Sequence, residues 1–283
     1  MAVKFGAEKL LIDQFFDHHG MMEIYAHIYA SIFLFLASLV AVYVLYKILV
    51  MESPYTWSAL TVGMIAVGFI GLGEAAEHFF PLDPFSHDLF HYLHMVAAPV
   101  ALFFLYRGSK EFIEESSNAS ELGTEGRIKP MSSDTIMAIF GGMVILVVVL
   151  AMMSETPWDP YIEGPFIYLT LIPTLVLAYM LLQQARHTTE SIVMVFIPII
   201  AVAVSLLVFD IMLGRLMDIW GLAPLYVITH VVQNVLHVAT GTILLLFSIT
   251  TYRANKLGII YVRGERPKYE APPHKKIPAE DYF

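Results

Sequence analysis

The chain has 283 residues, 58% of them hydrophobic and only 14% charged, whereas ordinary soluble domains carry about a quarter charged residues. A net charge of −9, with the basic residues scattered along loops, excludes a nucleic-acid binder, because neutralising phosphates needs a basic face. Cysteine is absent, which excludes disulfides, thiolate zinc sites and iron–sulfur clusters, so any metal or haem must be held by His, Met, Asp or Glu.

The first twenty residues mix Lys4, Glu8, Lys9, Asp13 and Asp17 with few contiguous apolar residues. They lack the apolar region of a cleavable signal peptide, and the N-terminal segment is expected to be retained. Seven stretches then have the length and apolarity of a membrane-crossing helix, at about 22–50, 56–80, 87–106, 133–154, 165–184, 190–213 and 224–251. Their continuous hydrophobicity excludes the alternation of an outer-membrane barrel. The predicted fold class is all-α, a polytopic membrane helix bundle of about seven transmembrane helices.

Between the third and fourth stretches, residues 108–132 are polar and hold Gly108, Gly123 and Gly126, which predicts a solvated cytoplasmic connector. Between the sixth and seventh, GRLMDIWGLAP carries Gly214, Gly221 and Pro224, which predicts a tight reversal. The seven helices make one domain over residues 1–253, and residues 254–283, rich in proline and charge, form a weakly ordered cytoplasmic tail.

Lys and Arg fix the expected orientation. With the N-terminus outside, the inner side receives Lys47, Arg107, Lys110, Arg127, Lys129, Arg186, Arg253 and the basic residues of the tail, 13 of the 16 present, leaving Lys4 and Lys9 outside and Arg215 near an outer helix end. The expected topology is therefore N-out and C-in, in a cytoplasmic-type cell membrane. The histidines were not used to derive it, yet His18, His19, His27, His78, His87, His91, His94, His230 and His237 all fall at outward helix ends. Glu23, Glu74, Glu77, Asp83, Asp88, Asp210 and Asp218 follow them.

Helical spacing groups these side chains. At 100° per residue, His87, His91 and His94 lie within about a 60° arc of the third helix, and His230, Asn234 and His237 make one stripe on the seventh. On the first helix His19, Glu23 and His27 recur every four residues, and on the second Glu74 and His78 are one turn apart with Glu77 beside them. Ionisable residues at membrane depth are costly and mark function, so Glu74, His94, Asp210 and His237, the deepest, weigh most. The metal-ligand candidates are His27, Glu74, His78, His87, His91, His94, Asp210, His230 and His237. Single histidines can equally be polar contacts between helices or with lipid headgroups, and Glu74 and Glu77 can be a capped helix end.

The second and third helices carry Gly73, Glu77, Phe79, His87, His94 and Tyr106-Arg107; the sixth and seventh carry Gly214, Asp218, Trp220, His230, His237 and Tyr252-Arg253 at similar spacing. A parallel repeat about an axis along the membrane normal is expected from this pattern, bringing His94 and His237 to a central site from opposite sides.

Two axial histidines on facing helices can hold haem b, and His94 with His237 is the cofactor-binding pair for that reading. Histidines seven apart rise only about 10 Å along a helix, too little for two haems stacked across a bilayer. A mono- or dinuclear centre of Cu, Zn or Fe fits mixed imidazole and carboxylate better. Met21, Met22, Met95, Met153 and Met212 lie on the side where a Cu(I) path needs thioethers.

The segment HDLFHYLHMVAAPVALFFLYRG resembles one in cytochrome oxidase assembly factors and bacterial copper-export proteins, where a His-x3-His pair opens a span before an Ala-Pro-rich run. His87, His91, Ala97, Ala98 and Pro99 carry the likeness. The paired prolines of that family are missing and His94 is additional. The resemblance implies copper handling. In helix number and a His/Asp set the chain also resembles the seven-span zinc hydrolases that include alkaline ceramidases and adiponectin receptors. It departs from them in the seven-residue spacing of His230 and His237 and in lacking Ser-x3-His on the second helix. That likeness implies a zinc-bound hydroxide attacking a lipid amide, with Asp210 or Glu74 as base.

The expected function is therefore a metal or haem site in the outer half of the bilayer, serving copper handling or membrane electron transfer, alone or as a subunit of a membrane complex. The alternatives are the zinc hydrolase and a structural subunit without metal. The lipid bilayer is the one partner that composition requires.

Overall fold

Each apolar stretch forms a helix: α1 Met21–Glu52, α2 Thr56–Phe79, α3 Pro84–Asn118, α4 Ser133–Ser154, α5 Asp159–Ala185, α6 Ile192–Ile219 and α7 Ala223–Lys256. The structure is a computed structural model that describes residues 21–52, 56–79, 84–118, 131–154, 159–185, 192–219 and 223–256. It holds no strand among those residues. Six helices (α1, α2, α3, α4, α6 and α7) are long and apolar enough to cross a membrane. On α5 the apolar run among the described residues is shorter, Thr170–Met180.

The core is shared by α1, α2, α3, α6 and α7, and Leu34, Leu60, Met64, Met95, Leu102, Val204 and Phe247 are fully or almost fully buried in it. α4 packs chiefly on α3, where Met143, Val147 and Ala151 meet Tyr92 and Val96. The outward faces are as apolar as the core: Leu36, Leu39 and Val40 on α1, Ile145 and Met152 on α4, and Val235 and Ile249 on α7 are all exposed. A bundle that is apolar on both its inner and outer faces fits lipid as its solvent. Exposed tyrosines mark both ends of α1, Tyr25 and Tyr29 at the start and Tyr43 and Tyr46 at the finish, where the Lys47 ammonium sits 5.6 Å from the Tyr43 ring. Tyr25 and Tyr43 are about 27 Å apart along the helix at 1.5 Å per residue, close to the hydrocarbon thickness of a bilayer.

Two expected boundaries are corrected. α3 does not end at the predicted connector but continues to Asn118, because Gly108 is a packing residue: a Cβ there would stand 2.7 Å from the Leu60 backbone nitrogen. Arg107 and buried Glu111 then extend the helix through an i,i+4 ion pair of 2.6 Å, and Glu111 also accepts from the Met131 amide. Likewise α6 runs through Gly214 to Ile219. Gly214 is buried against Thr229 of α7, so its lack of a side chain serves helix contact instead of chain reversal. Glycine read as loop punctuation in a soluble chain is often an interface residue in an apolar one.

Candidate metal centre

α2 supplies three polar side chains within one turn, Glu74, Glu77 and His78, and the glycines before them decide what they reach. A Cβ on Gly71 would stand 2.6 Å from the Ser31 carbonyl oxygen of α1, and one on Gly73 would stand 2.8 Å from the Phe90 carbonyl oxygen and 2.9 Å from the His94 Cβ of α3. α2 is thus clamped between α1 and α3 at the level of Glu74. Its carboxylate reaches both neighbours: Oε2 lies 2.9 Å from His27 Nε2 on α1, and Oε1 lies 3.2 Å from His94 Nε2 on α3. All three side chains are buried.

Around His27 the imidazoles converge. Its ring centroid is 4.5 Å from that of His78, 5.4 Å from His230 and 5.6 Å from His237, so α1, α2 and α7 all contribute. One ligand atom each from His27, Glu74 and His78 falls within 4.8 Å of the others, and this group can hold a metal ion. A second group, Glu77, His91 and His94, meets the same criterion on the α2–α3 side. There Glu77 Oε1 is 3.2 Å from His91 Nδ1 and 3.4 Å from His87 Nε2, while Oε2 is 3.4 Å from His94 Nδ1.

The backbone sets the tautomers. His78 Nδ1 donates to the Glu74 carbonyl at 2.8 Å, His94 Nδ1 to the Phe90 carbonyl at 3.2 Å and His237 Nδ1 to the Gln233 carbonyl at 2.9 Å. A carbonyl oxygen only accepts, so Nδ1 carries a proton, and wherever the ring is neutral Nε2 is the ligand-type lone pair. In each case the acceptor is four residues back, the arrangement by which metal-binding histidines are oriented from outside the coordination sphere. His237 is fully buried, and its Nε2 has no hydrogen-bond partner among the described residues. His27 is held on its other side by Asn234, with Nδ1 2.6 Å from Oδ1.

No family model, curated protein or solved structure matches this chain. The chemistry of the site is therefore read from its own geometry.

The predicted residues sort into a gradient along α3: His94 and His91 are buried, and the His87 side chain is 39% exposed. His87 lies parallel to His91 at 6.3 Å and beside Asp88, which in turn accepts from Ser154 of α4. His230 stands beside the first group without belonging to it, its ring centroid 5.4 Å from that of His27 and 6.3 Å from that of His78. Asp210 is buried on α6 and belongs to neither group; its Oδ2 lacks a hydrogen-bond partner among the described residues, and it lies within electrostatic reach of Glu74. Glu77, left out of the ligand candidates above, is central to the second group; its three-residue step from Glu74 was the available signal. Met95 and Met212 pack in the apolar core, with Met212 Sδ beside the Thr170 hydroxyl. His18, His19 and Asp83 lie outside the described residues, as do the side chains of Glu23, Asp218, Met21 and Met22.

Proposed function

We propose that this chain is a multi-pass membrane metalloprotein whose His/Glu cluster holds a non-haem transition metal for redox chemistry or electron transfer in the outer half of the bilayer. The observation that carries the reading is the convergence of His27, His78, His230 and His237 beside Glu74. Their tautomers add weight, since His78 and His237 have Nδ1 committed to the backbone. Buried carboxylate and imidazole groups are retained in a bilayer when they serve an ion or proton path. The donor set is imidazole and carboxylate, which suits Fe, Mn, Zn or Cu(II), whereas Cu(I) prefers thioethers and thiolates. The metal would supply a redox couple or a Lewis acid, and the chain would supply orientation and a water-poor surround.

Haem between His94 and His237 is the less favoured reading, because His94 Nε2, the nitrogen that would have to hold it, already faces the Glu74 carboxylate at 3.2 Å. One observation favours a second reading as a zinc-dependent lipid hydrolase: buried Asp210, with one oxygen unpartnered and near Glu74, has the makings of a general base. In both readings seven helices including α5 span the membrane with the N-terminus outside, residues 1–253 form the membrane domain, and residues 254–283 form a cytoplasmic tail. The resemblance of residues 87–108 to copper-handling proteins leaves copper among the ions to test.

Elemental analysis of the purified protein together with its visible spectrum is the test. Stoichiometric iron, manganese or copper without a Soret band supports the redox reading, zinc alone supports the hydrolase, and a Soret band restores haem. No bound metal, with function unaffected in His94→Ala and His237→Ala, would sink the proposal.

A further inference from the structure

We infer that Glu74 is a bridging ligand and that the centre holds two metal ions, one in the His27–Glu74–His78 group and one in the Glu77–His91–His94 group. This rests on the metal-centre reading above and adds to it the number of ions and the part each carboxylate plays.

His94 Nδ1 is committed to the Phe90 carbonyl, so a neutral His94 turns a bare lone pair toward Glu74 Oε1 at 3.2 Å. Two acceptors at that distance repel, and something positive must lie between or beside them. On the opposite side of the same carboxylate, His27 Nε2 is 2.9 Å from Oε2 while its Nδ1 faces the Asn234 amide at 2.6 Å. Both oxygens of Glu74 therefore look at imidazole nitrogens from different helices, and those two histidines belong to different ligand groups. A carboxylate that presents one oxygen to each of two ions holds them about 3.5–4 Å apart, the spacing of two-metal sites.

Each position has further donors of its own. The first has His78, with the rings of His230 and His237 beside it but outside its ligand group, and the buried Nε2 of His237 meets no hydrogen-bond partner among the described residues. The second has Glu77, whose Oε1 faces His91 Nδ1 and whose Oε2 lies along the Nδ1 edge of His94, with partly exposed His87 on its outer side. The competing arrangement is a network of protons, with His27 and His94 charged against Glu74 and Glu77. It balances charge at these four residues but provides nothing for the buried nitrogen of His237.

Cobalt(II) is the probe, added to the metal-stripped full-length chain in detergent micelles, with ions counted by elemental analysis and spins by electron paramagnetic resonance. The expected result is two cobalt ions per chain, with a low-temperature signal well below the sum of two isolated ions because the carboxylate couples them. His91→Ala or Glu77→Gln should leave one ion and restore its full single-ion signal. Saturation at one ion, or two ions with fully additive signals, overturns the bridged pair while the metal-centre reading stands. Saturation at zero overturns both and points to the proton network. The wild-type titration decides the matter even if the variants do not fold.

Discussion

Gly73→Ala is the substitution whose effect follows most directly from the geometry. The added methyl would lie 2.8 Å from the Phe90 carbonyl oxygen, 2.9 Å from His94 Cβ and 3.0 Å from the His94 nitrogen, and backbone atoms cannot rotate aside as a side-chain end can. Carbon contacts settle at about 3.5–4.0 Å, so α3 must retreat from α2 by roughly 0.5–1 Å. Overpacking of this kind costs about 1–3 kcal/mol, and each kcal/mol lowers the melting temperature by about 2–4 °C in a domain of roughly this size. The same retreat lengthens the 3.2 Å approach of His94 Nε2 to Glu74, whereas metal–ligand distances tolerate only about 0.2 Å. Gly141→Ala is the control, because a Cβ there meets nothing within 4 Å. It should leave stability unchanged or raise it by up to about 1 kcal/mol through helix propensity. Thermal unfolding in detergent, paired with metal content, should show Gly73→Ala several degrees less stable and depleted at the α2–α3 position. If the two variants behave alike, the reasoning that a glycine clamp positions Glu74 is wrong.

Stripping the metal with a chelator should lower the melting temperature, and restoring free ion at 100 times its dissociation constant should return about 2.7 kcal/mol, read by thermal shift; an unchanged transition would argue that no ion is bound. Metal affinity should fall with acidification, because ligand imidazoles and carboxylates must shed protons to bind: each proton displaced weakens apparent binding by about 1.4 kcal/mol per pH unit, measurable by titration at several pH values. Asn234→Ala removes the partner of His27 Nδ1 and should weaken binding about 10- to 100-fold without changing the number of ions at saturation. His87→Ala should slow uptake of the ion from solution, since His87 is the exposed end of the α3 histidine series; stopped-flow metal binding with an unchanged rate would remove it from the uptake path.

Much of the site was legible before any helix was placed. The histidines and carboxylates fell on one side of a topology expected from lysine and arginine, and helical spacing grouped His87, His91 and His94 on one arc and His230, Asn234 and His237 on another; His91, His94, His230 and His237 are buried, whereas the His87 side chain is 39% exposed and Asn234 is half-buried. What spacing could not do was assign partners across helices. Glu77 stands beside Glu74 and His78 but is left off the ligand candidates, because its contacts are made against α3, with His91 fourteen residues away in sequence. Asp210 is a candidate ligand by depth alone; on α6 it falls in neither ligand group and lies within electrostatic reach of Glu74. The symmetric pairing of His94 with His237 was a reasonable product of the repeat pattern, and the two residues do share one local arrangement, each with Nδ1 on the carbonyl four residues before. The residue between the groups, though, is Glu74, which has no counterpart in that pattern.

Local sequence therefore determined the helices, their apolar faces and the supply of ligand-type side chains at one end of the bundle. It could do so because length, hydropathy and a 3.6-residue period act within a single segment. Tertiary structure alone decided which glycines are contacts instead of turns, how close α2 lies to α1 and α3, and that Glu74 joins histidines from both. Those outcomes depend on backbone approaches of a few tenths of an ångström between segments far apart in the chain, and no periodicity along one helix records the position of its neighbour.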